Sequence, residues 1–147
     1  MNDDNAYEVR HRLSPAQTDE LLRLYADEWW SGGRTATDVA RMLRSSDLLF
    51  AVVERRSDTL AAFARVLTDS TYLALVLDVI VAPAHRERGL GRLLMESICS
   101  HRALRAVTSV ELVCQPELVP FYHKWGFSER VGRSQLLRRT SDPALTP

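Results

Sequence analysis

An apolar run from Leu73 to Ala84, broken only by Asp78, constrains this chain more than any other feature. It reads as a strand over Tyr72 to Val81, apolar on both faces and therefore central and covered on both sides. Pro83 stops it, and two closely spaced glycines, Gly89 and Gly91, lead into a helix over Gly89 to Arg102. In that helix Leu90, Leu93, Leu94 and Ile98 recur at helical spacing and form one apolar stripe. Val107 to Cys114 then reads as a second buried strand. Strand, helix, strand in this order predicts a parallel crossover pair. The fold class is α/β with a mixed sheet, because the segments before the pair read as antiparallel hairpins.

Those segments are Leu48 to Glu54, Leu60 to Leu67 and the polar turns after each. Ahead of them, Tyr7 to Leu13 is a first strand. Ser14 and Pro15 cap and open a helix that the spacing of Leu21, Leu22, Tyr25 and Trp29 carries to Trp29. Trp30 to Gly33 is a break, and Thr37 caps a second helix carrying Val39, Ala40, Met42 and Leu43. Downstream, Pro120 opens a short helix through Trp125, Gly126 ends it, and Phe127 onward with Ser134 to Arg138 makes a closing hairpin. One domain over residues 1–139 is expected, followed by a frayed tail over residues 140–147.

Composition bounds the partners. The 147 residues are 46% hydrophobic and 26% charged, which suits one globular domain, and 19 basic residues balance 19 acidic ones. A net charge of zero supplies no field to hold nucleic acid or an anionic membrane, so neither is an expected partner and any anion must be captured locally. The longest apolar run falls short of the roughly 20 residues a spanning helix needs. Met1 to Asp4 lacks the basic and apolar regions of a secretory signal, and Cys99 with Cys114 forms no framework; a cytoplasmic protein with reduced thiols is expected. His11, His85, His101 and His123 have no ligand spacing, so no metal site is expected.

The glycine junction carries the most chemistry. The first amides of a helix lack internal acceptors, and with the helix dipole they make an anion site. Glycine lets backbone approach a phosphate, and Arg86, Arg88 and Arg92 add positive charge. The alternative is that the glycines only permit a tight turn and the arginines are solvated. A Walker loop is excluded because no Gly-Lys-Ser/Thr follows. A dinucleotide fingerprint wants a third glycine where Leu94 stands and an acid ending the next strand, whereas Glu111 lies within it.

Arg86, Gly89 and Gly91 after a hydrophobic strand resemble the R/Q-x-x-G-x-G/A signature of GCN5-related N-acetyltransferases (GNAT). Cys114 to Phe127 resembles the later motif of that family, and Leu118 to Phe127 is locally similar to the serotonin-type aralkylamine N-acetyltransferases. The resemblance covers roughly Leu73 to Phe127. It implies a mixed sheet splayed between two parallel strands, with acetyl-coenzyme A in the gap as co-substrate. It further implies that the backbone of Val79, Ile80 and Val81 bonds the pantetheine. Arg86, Glu87, Arg88, Gly89, Leu90, Gly91 and Arg92 would surround the pyrophosphate. Dimers are common in the family, so a homodimer is an expectation.

Acetyl transfer from a thioester to a small-molecule or peptide amine needs a neutral amine, a stabilised oxyanion and a proton for the departing sulfur. An alkylamine with a pKa near 10 is about 0.1% neutral at pH 7, a penalty of about 4 kcal/mol. Tyr122 is the candidate general acid and also a cofactor contact; its alternative is packing beside Phe121 and Trp125. The positions where the family places a base are Leu75 and Leu77, which cannot take a proton. Asp78, its pKa raised by burial, and Glu28 are the candidate bases, although Asp78 equally fits a structural acid bonded to backbone. Glu28, Trp29 and Trp30, with Asp27, are the candidate acceptor cradle; alternatively Trp29 is core and the acids are solvated. No covalent enzyme intermediate is expected, since neither cysteine has an activating histidine neighbour. Because Leu75 and Leu77 are apolar, a non-catalytic acyl-coenzyme A binding or sensing module is the second reading.

Overall fold

The computed structural model describes residues 6–146. The reading of the N-terminal residues as lacking a signal therefore lies outside the described residues. The elements in chain order are β1 (Tyr7–Arg10), α1 (Pro15–Ala26), α2 (Ala36–Ser45), β2 (Leu48–Glu54), β3 (Thr59–Thr68), β4 (Leu73–Val81), α3 (Leu90–Ser100), β5 (Ser109–Leu112) and α4 (Val119–His123). They form one five-stranded sheet in the order β1-β2-β3-β4-β5, antiparallel except for the parallel β4–β5 pair. The α/β class and the strand-helix-strand crossover hold.

Two apolar clusters sandwich the sheet. Leu90, Leu94, Met95 and Ile98 of α3 pack one face against Phe50, Val52, Ala64 and Val76. Leu21 and Tyr25 of α1 and Val39 of α2 pack the other against Val53, Leu60, Phe63 and Ile80. Helix α1 begins as its sequence dictates: Ser14 Oγ accepts from the Gln17 amide at 3.1 Å, and the Gln17 side chain accepts from the Ser14 amide at 2.9 Å.

Several boundaries differ from the sequence reading, each for a local reason. Helix α1 stops at Ala26 rather than Trp29, because Ser31 Oγ donates to the Tyr25 carbonyl at 2.8 Å and turns the chain away. The cap of α2 is Thr35, whose hydroxyl accepts from the Asp38 amide at 3.2 Å, not Thr37. Strand β5 is a partly exposed sheet edge, not a buried strand. The expected closing hairpin after Phe127 is not formed, and Ser128 to Arg139 runs irregularly with every residue exposed. In the tail, Pro143 to Leu145 makes a turn of 3-10 helix capped by Asp142.

Two irregularities in β4 create the space for a site. The β3–β4 register slips between Phe63 opposite Ile80 and Arg65 opposite Leu77, and Asp78 takes a left-handed φ of 58° to absorb the extra residue. On its other side, β4 pairs with β5 only from Leu73–Ser109 to Val76–Leu112. From there to Val81 the β5 side of β4 is unpaired, while β3 still pairs the other side. Beyond Val76 the two parallel strands part.

Candidate active site

At the open end of β4 the chain turns through Pro83 to His85 and enters α3 by way of two left-handed residues, Glu87 (φ 63°) and Gly89 (φ 75°). Among the described residues, the amides of Glu87, Arg88, Gly89, Leu90, Gly91 and Arg92 donate to no protein acceptor; the first bond of the helix runs from the Leu93 amide to the Gly89 carbonyl at 3.0 Å. A run of free N–H groups at a helix head is an anion site by construction. The geometry also separates the glycines. Gly89 is required for its φ. Gly91 is in a tight place, since a Cβ there would stand 3.2 Å from the Phe121 ring of α4, which would have to shift by a few tenths of an ångström. Gly91→Val is expected to destabilise the protein by about 1–3 kcal/mol through overpacking, a fall in Tm that Phe121→Ala in the same chain partly restores.

The arginines have partners of their own. Arg86 donates through Nε to the Val81 carbonyl and through Nη2 to Glu28 Oε1, both at 3.3 Å. Arg88 reaches the Tyr7 hydroxyl at 3.3 Å, and Arg92 pairs with Glu96 at 2.7 Å on the helix surface. Of these, Arg86 ties the end of β4 to the end of α1. Of the strand residues, Val79 and Val81 pack toward α3 and Ile80 toward α1. Their side chains are packing.

The bulge residue Asp78 is where burial and pairing compete. Its side chain is 6% exposed, and its Oδ2 accepts from Arg34 Nη1 at 2.6 Å, Arg65 Nε at 2.7 Å and the Tyr25 hydroxyl at 2.9 Å. Burial alone pushes this carboxyl up, but the Arg34 and Arg65 hydrogen bonds outweigh it and hold it below the ordinary carboxylate range. The expected upward shift of Asp78 is thus reversed. Its bonds go to side chains rather than to backbone. Burial and the adjacent Asp78 charge push the Tyr25 phenol well above its usual range, so it stays a donor. Arg34 also lies over the Tyr25 and Trp30 rings, 4.4 and 5.5 Å from their centroids. Arg34, Arg65 and Tyr25 were not legible as site residues. They come from the α1–α2 loop, β3 and α1, and no spacing in sequence joins them.

On the same side, Leu24, Asp27, Glu28, Ile80, Val81, Pro83 and Arg86 line a cavity of about 270 Å³. Glu28 and Asp27 therefore sit at the open end of β4. Trp29 is exposed rather than core, and Trp30 faces Tyr25 and Arg34. Leu75 and Leu77 are half-buried on β4, with Leu75 registered between Leu67 and Glu111. No group of three or more His, Cys, Asp or Glu side chains converges among the described residues.

Tyr122 lies on α4, buried in the core cluster that contains the apolar face of α3. Its ring packs edge-on against Phe121 and Phe127, 5.0 and 6.1 Å between centroids, and it is 6% exposed. Its hydroxyl has no hydrogen-bond partner among the described residues, and with Cys114 and Leu112 it lines a groove beside β5. Burial pushes the phenol up to about 12, with nearby Cys114 adding to the shift.

Comparison with known proteins places this arrangement. The chain is 28% identical over 122 residues to GCN5-related N-acetyltransferase 1, chloroplastic, of Arabidopsis thaliana, covering 81% of this chain and 60% of that protein. It is 37% identical over 67 residues to serotonin N-acetyltransferase 2, chloroplastic, of Oryza sativa subsp. japonica, covering 46% of this chain and 34% of that protein. The chain thus spans only part of these relatives' lengths. A solved structure from Xanthomonas campestris pv. campestris, assigned to the GNAT family of acetyltransferases, superposes with a TM-score of 0.83 at 26% identity and covers 95% of each chain. Residues 46–129, more than half of the sequence, match the acetyltransferase (GNAT) domain and contain the bulged strand, the glycine junction and Tyr122; the chain belongs to the GNAT acetyltransferase family.

Proposed function

We propose that this protein is an N-acetyltransferase that moves acetyl from acetyl-coenzyme A to a primary amine by direct attack in a ternary complex. One observation carries the reading: two parallel strands that part at Val76 and Leu112, beside a helix head whose amides from Glu87 to Arg92 are free. The residues present fit the co-substrate. The free amides suit a pyrophosphate, and the unpaired edge of β4 from Leu77 to Val81 suits the amides of a pantetheine arm. An acyl thioester supplies the electrophile, and the remaining work falls to the chain.

One N–H near the bulge, among Val79 to Val81, polarises the acetyl carbonyl. Tyr122 offers its O–H to the departing sulfur. A phenol with a pKa of about 12 keeps its proton at neutral pH and is a donor throughout. Of the two candidate bases, the buried, doubly paired Asp78 carboxylate has little affinity for a proton. Glu28, open to the cavity beside β4, takes the amine proton directly or through water, and Asp27 in the same cavity, with Trp29 exposed next to them in the chain, draws the ammonium form in. Glu28→Gln is expected to lower kcat/KM at neutral pH while sparing coenzyme A affinity; an unchanged kcat/KM would leave a water chain as the acceptor.

A second reading has one observation in its favour, the apolar Leu75 and Leu77: a module that binds acyl-coenzyme A without turning it over. Thiol release from acetyl-coenzyme A across a panel of aryl, sugar, amino-acid and peptide amines separates the two. Turnover with any amine supports the enzyme; binding without release on every amine supports the module. Among the described residues no helix is long and apolar enough to cross a membrane. The reading is completed by a cytoplasmic location and one catalytic domain over residues 1–139.

A further inference from the structure

Glu87 holds a backbone conformation that costs energy. Its φ of 63° lies in the left-handed region, where a Cβ crowds the following carbonyl; Gly89, two residues on, takes the same region without that penalty. Its side chain is exposed, so burial does not offset the strain. A residue in such a conformation persists where its surroundings over-determine it. The hydroxyl of Tyr7 does so, from β1 at the other end of the chain. Tyr7 is 8% exposed, and its ring belongs to the core cluster shared with α3. Its hydroxyl meets the turn on both sides of Glu87: it stands 2.8 Å from His85 Nδ1 and accepts from Arg88 Nη1 at 3.3 Å. The His85 ring lies edge-on to that of Tyr7, 5.6 Å between centroids. Glu54, opposite Tyr7 in the β1–β2 register, brings Oε2 to 3.8 Å from the same His85 nitrogen.

Main-chain bonds hold the near end of this turn, where the His85 amide donates to the Ala82 carbonyl at 2.9 Å and the Arg86 amide to the Pro83 carbonyl at 3.4 Å. From Glu87 to Arg92 the amides have no protein acceptor among the described residues, so side chains must fix the path there. Arg86 is tied separately, to Val81 and Glu28. Arg88 lies between the two left-handed residues, and the Tyr7 hydroxyl is what holds it to the sheet. The structure assigns Tyr7 as a positioning residue: its hydroxyl clamps His85 and Arg88 so that the amides from Glu87 to Arg92 are set for a diphosphate before one arrives. The assignment rests on the reading of this helix head as the coenzyme A site. With its ring buried and its hydroxyl between Arg88 and His85, Tyr7 acts through the turn, as the supporting layer behind a binding site does. The consequence is one of populations. Apparent Kd rises in inverse proportion to the fraction of molecules whose turn is competent, so a fall in that fraction to about one tenth raises Kd about tenfold.

Calorimetric titration of the full chain with coenzyme A tests this without reference to turnover. Tyr7→Phe keeps the ring and its packing, and is expected to raise Kd about tenfold with Tm nearly unchanged. His85→Phe, which takes one partner from the hydroxyl, is expected to move Kd in the same direction. A cycle with Glu87→Gly separates positioning from a general structural role. Glycine takes the left-handed φ without support, so adding Tyr7→Phe to the Glu87→Gly chain is expected to change Kd by less than about threefold. A loss of equal size in both backgrounds would overturn the assignment, because Tyr7 would then act through the fold as a whole and not through the turn. An unchanged Kd in Tyr7→Phe would overturn it as well. The unaltered chain keeps the two failures apart: if it gives no heat with coenzyme A, the reading of the site falls and the assignment falls with it. Normal binding by the unaltered chain and by Tyr7→Phe alike removes the assignment alone.

Discussion

Asp78→Asn is expected to cost about 3–5 kcal/mol, the range seen when one partner of a buried ion pair is removed, and so to consume a large part of a domain's roughly 5–15 kcal/mol. The carboxylate is the sole acid among the groups that meet there; Arg34, Arg65 and Tyr25 all direct donors at its Oδ2. An amide leaves two guanidiniums half-buried without a counter-charge. It also slackens the tether that holds the α1–α2 loop over the bulge. Chemical denaturation should show a lower midpoint at constant m, and adding Arg65→Met to the Asp78→Asn variant should recover part of the loss by removing one orphaned charge. The pH dependence has a definite sign. The folded pKa of Asp78 lies below its unfolded value of about 3.9, so its contribution is complete above about pH 4 and is lost as pH falls through the folded value. The variant should lack that portion of acid sensitivity, and equal acid midpoints for both proteins would show that the pairing contributes nothing.

Tyr122→Phe is expected to lower kcat by well over tenfold, more than about 1.4 kcal/mol of barrier, with coenzyme A affinity and Tm nearly unchanged. The ring's contacts with Phe121 and Phe127 survive the change, so only the O–H is lost. Because that hydroxyl bonds to no described protein group, its removal orphans no partner. In the unaltered enzyme the phenol's pKa of about 12 means that no loss of rate from its ionisation should appear below about pH 10. Undiminished turnover in the Phe variant would assign Tyr122 to packing alone.

Much of the framework was legible because it rests on local rules. The cap and staggered leucines of α1, the hairpins and the strand-helix-strand unit each follow from spacing that survives folding. The glycine junction was legible for the same reason, since Gly89 and Gly91 sit together at the head of one helix. What escaped rests on contacts between distant segments. The fate of Asp78 depends on Arg34 and Arg65, brought together by the α1–α2 loop and β3, and charge at these positions carries no sequence periodicity. Burial pointed to a raised pKa; pairing decided the opposite. The edge position of β5 is not legible in its sequence, because apolar content alone does not say whether another strand follows it in the sheet. Trp29 looked like a helical core position by interval alone, and the helix ends before reaching it.

All of the proposed chemistry requires that the parting of β4 from β5 and the free amides from Glu87 to Arg92 hold a coenzyme A thioester. Isothermal titration of the full chain with coenzyme A measures this directly. One site per chain with micromolar affinity is expected, weakened by Gly89→Val, whose side chain is strained at a φ of 75° beside those amides. Absence of heat at millimolar coenzyme A and acetyl-coenzyme A, from protein that unfolds cooperatively, would contradict it.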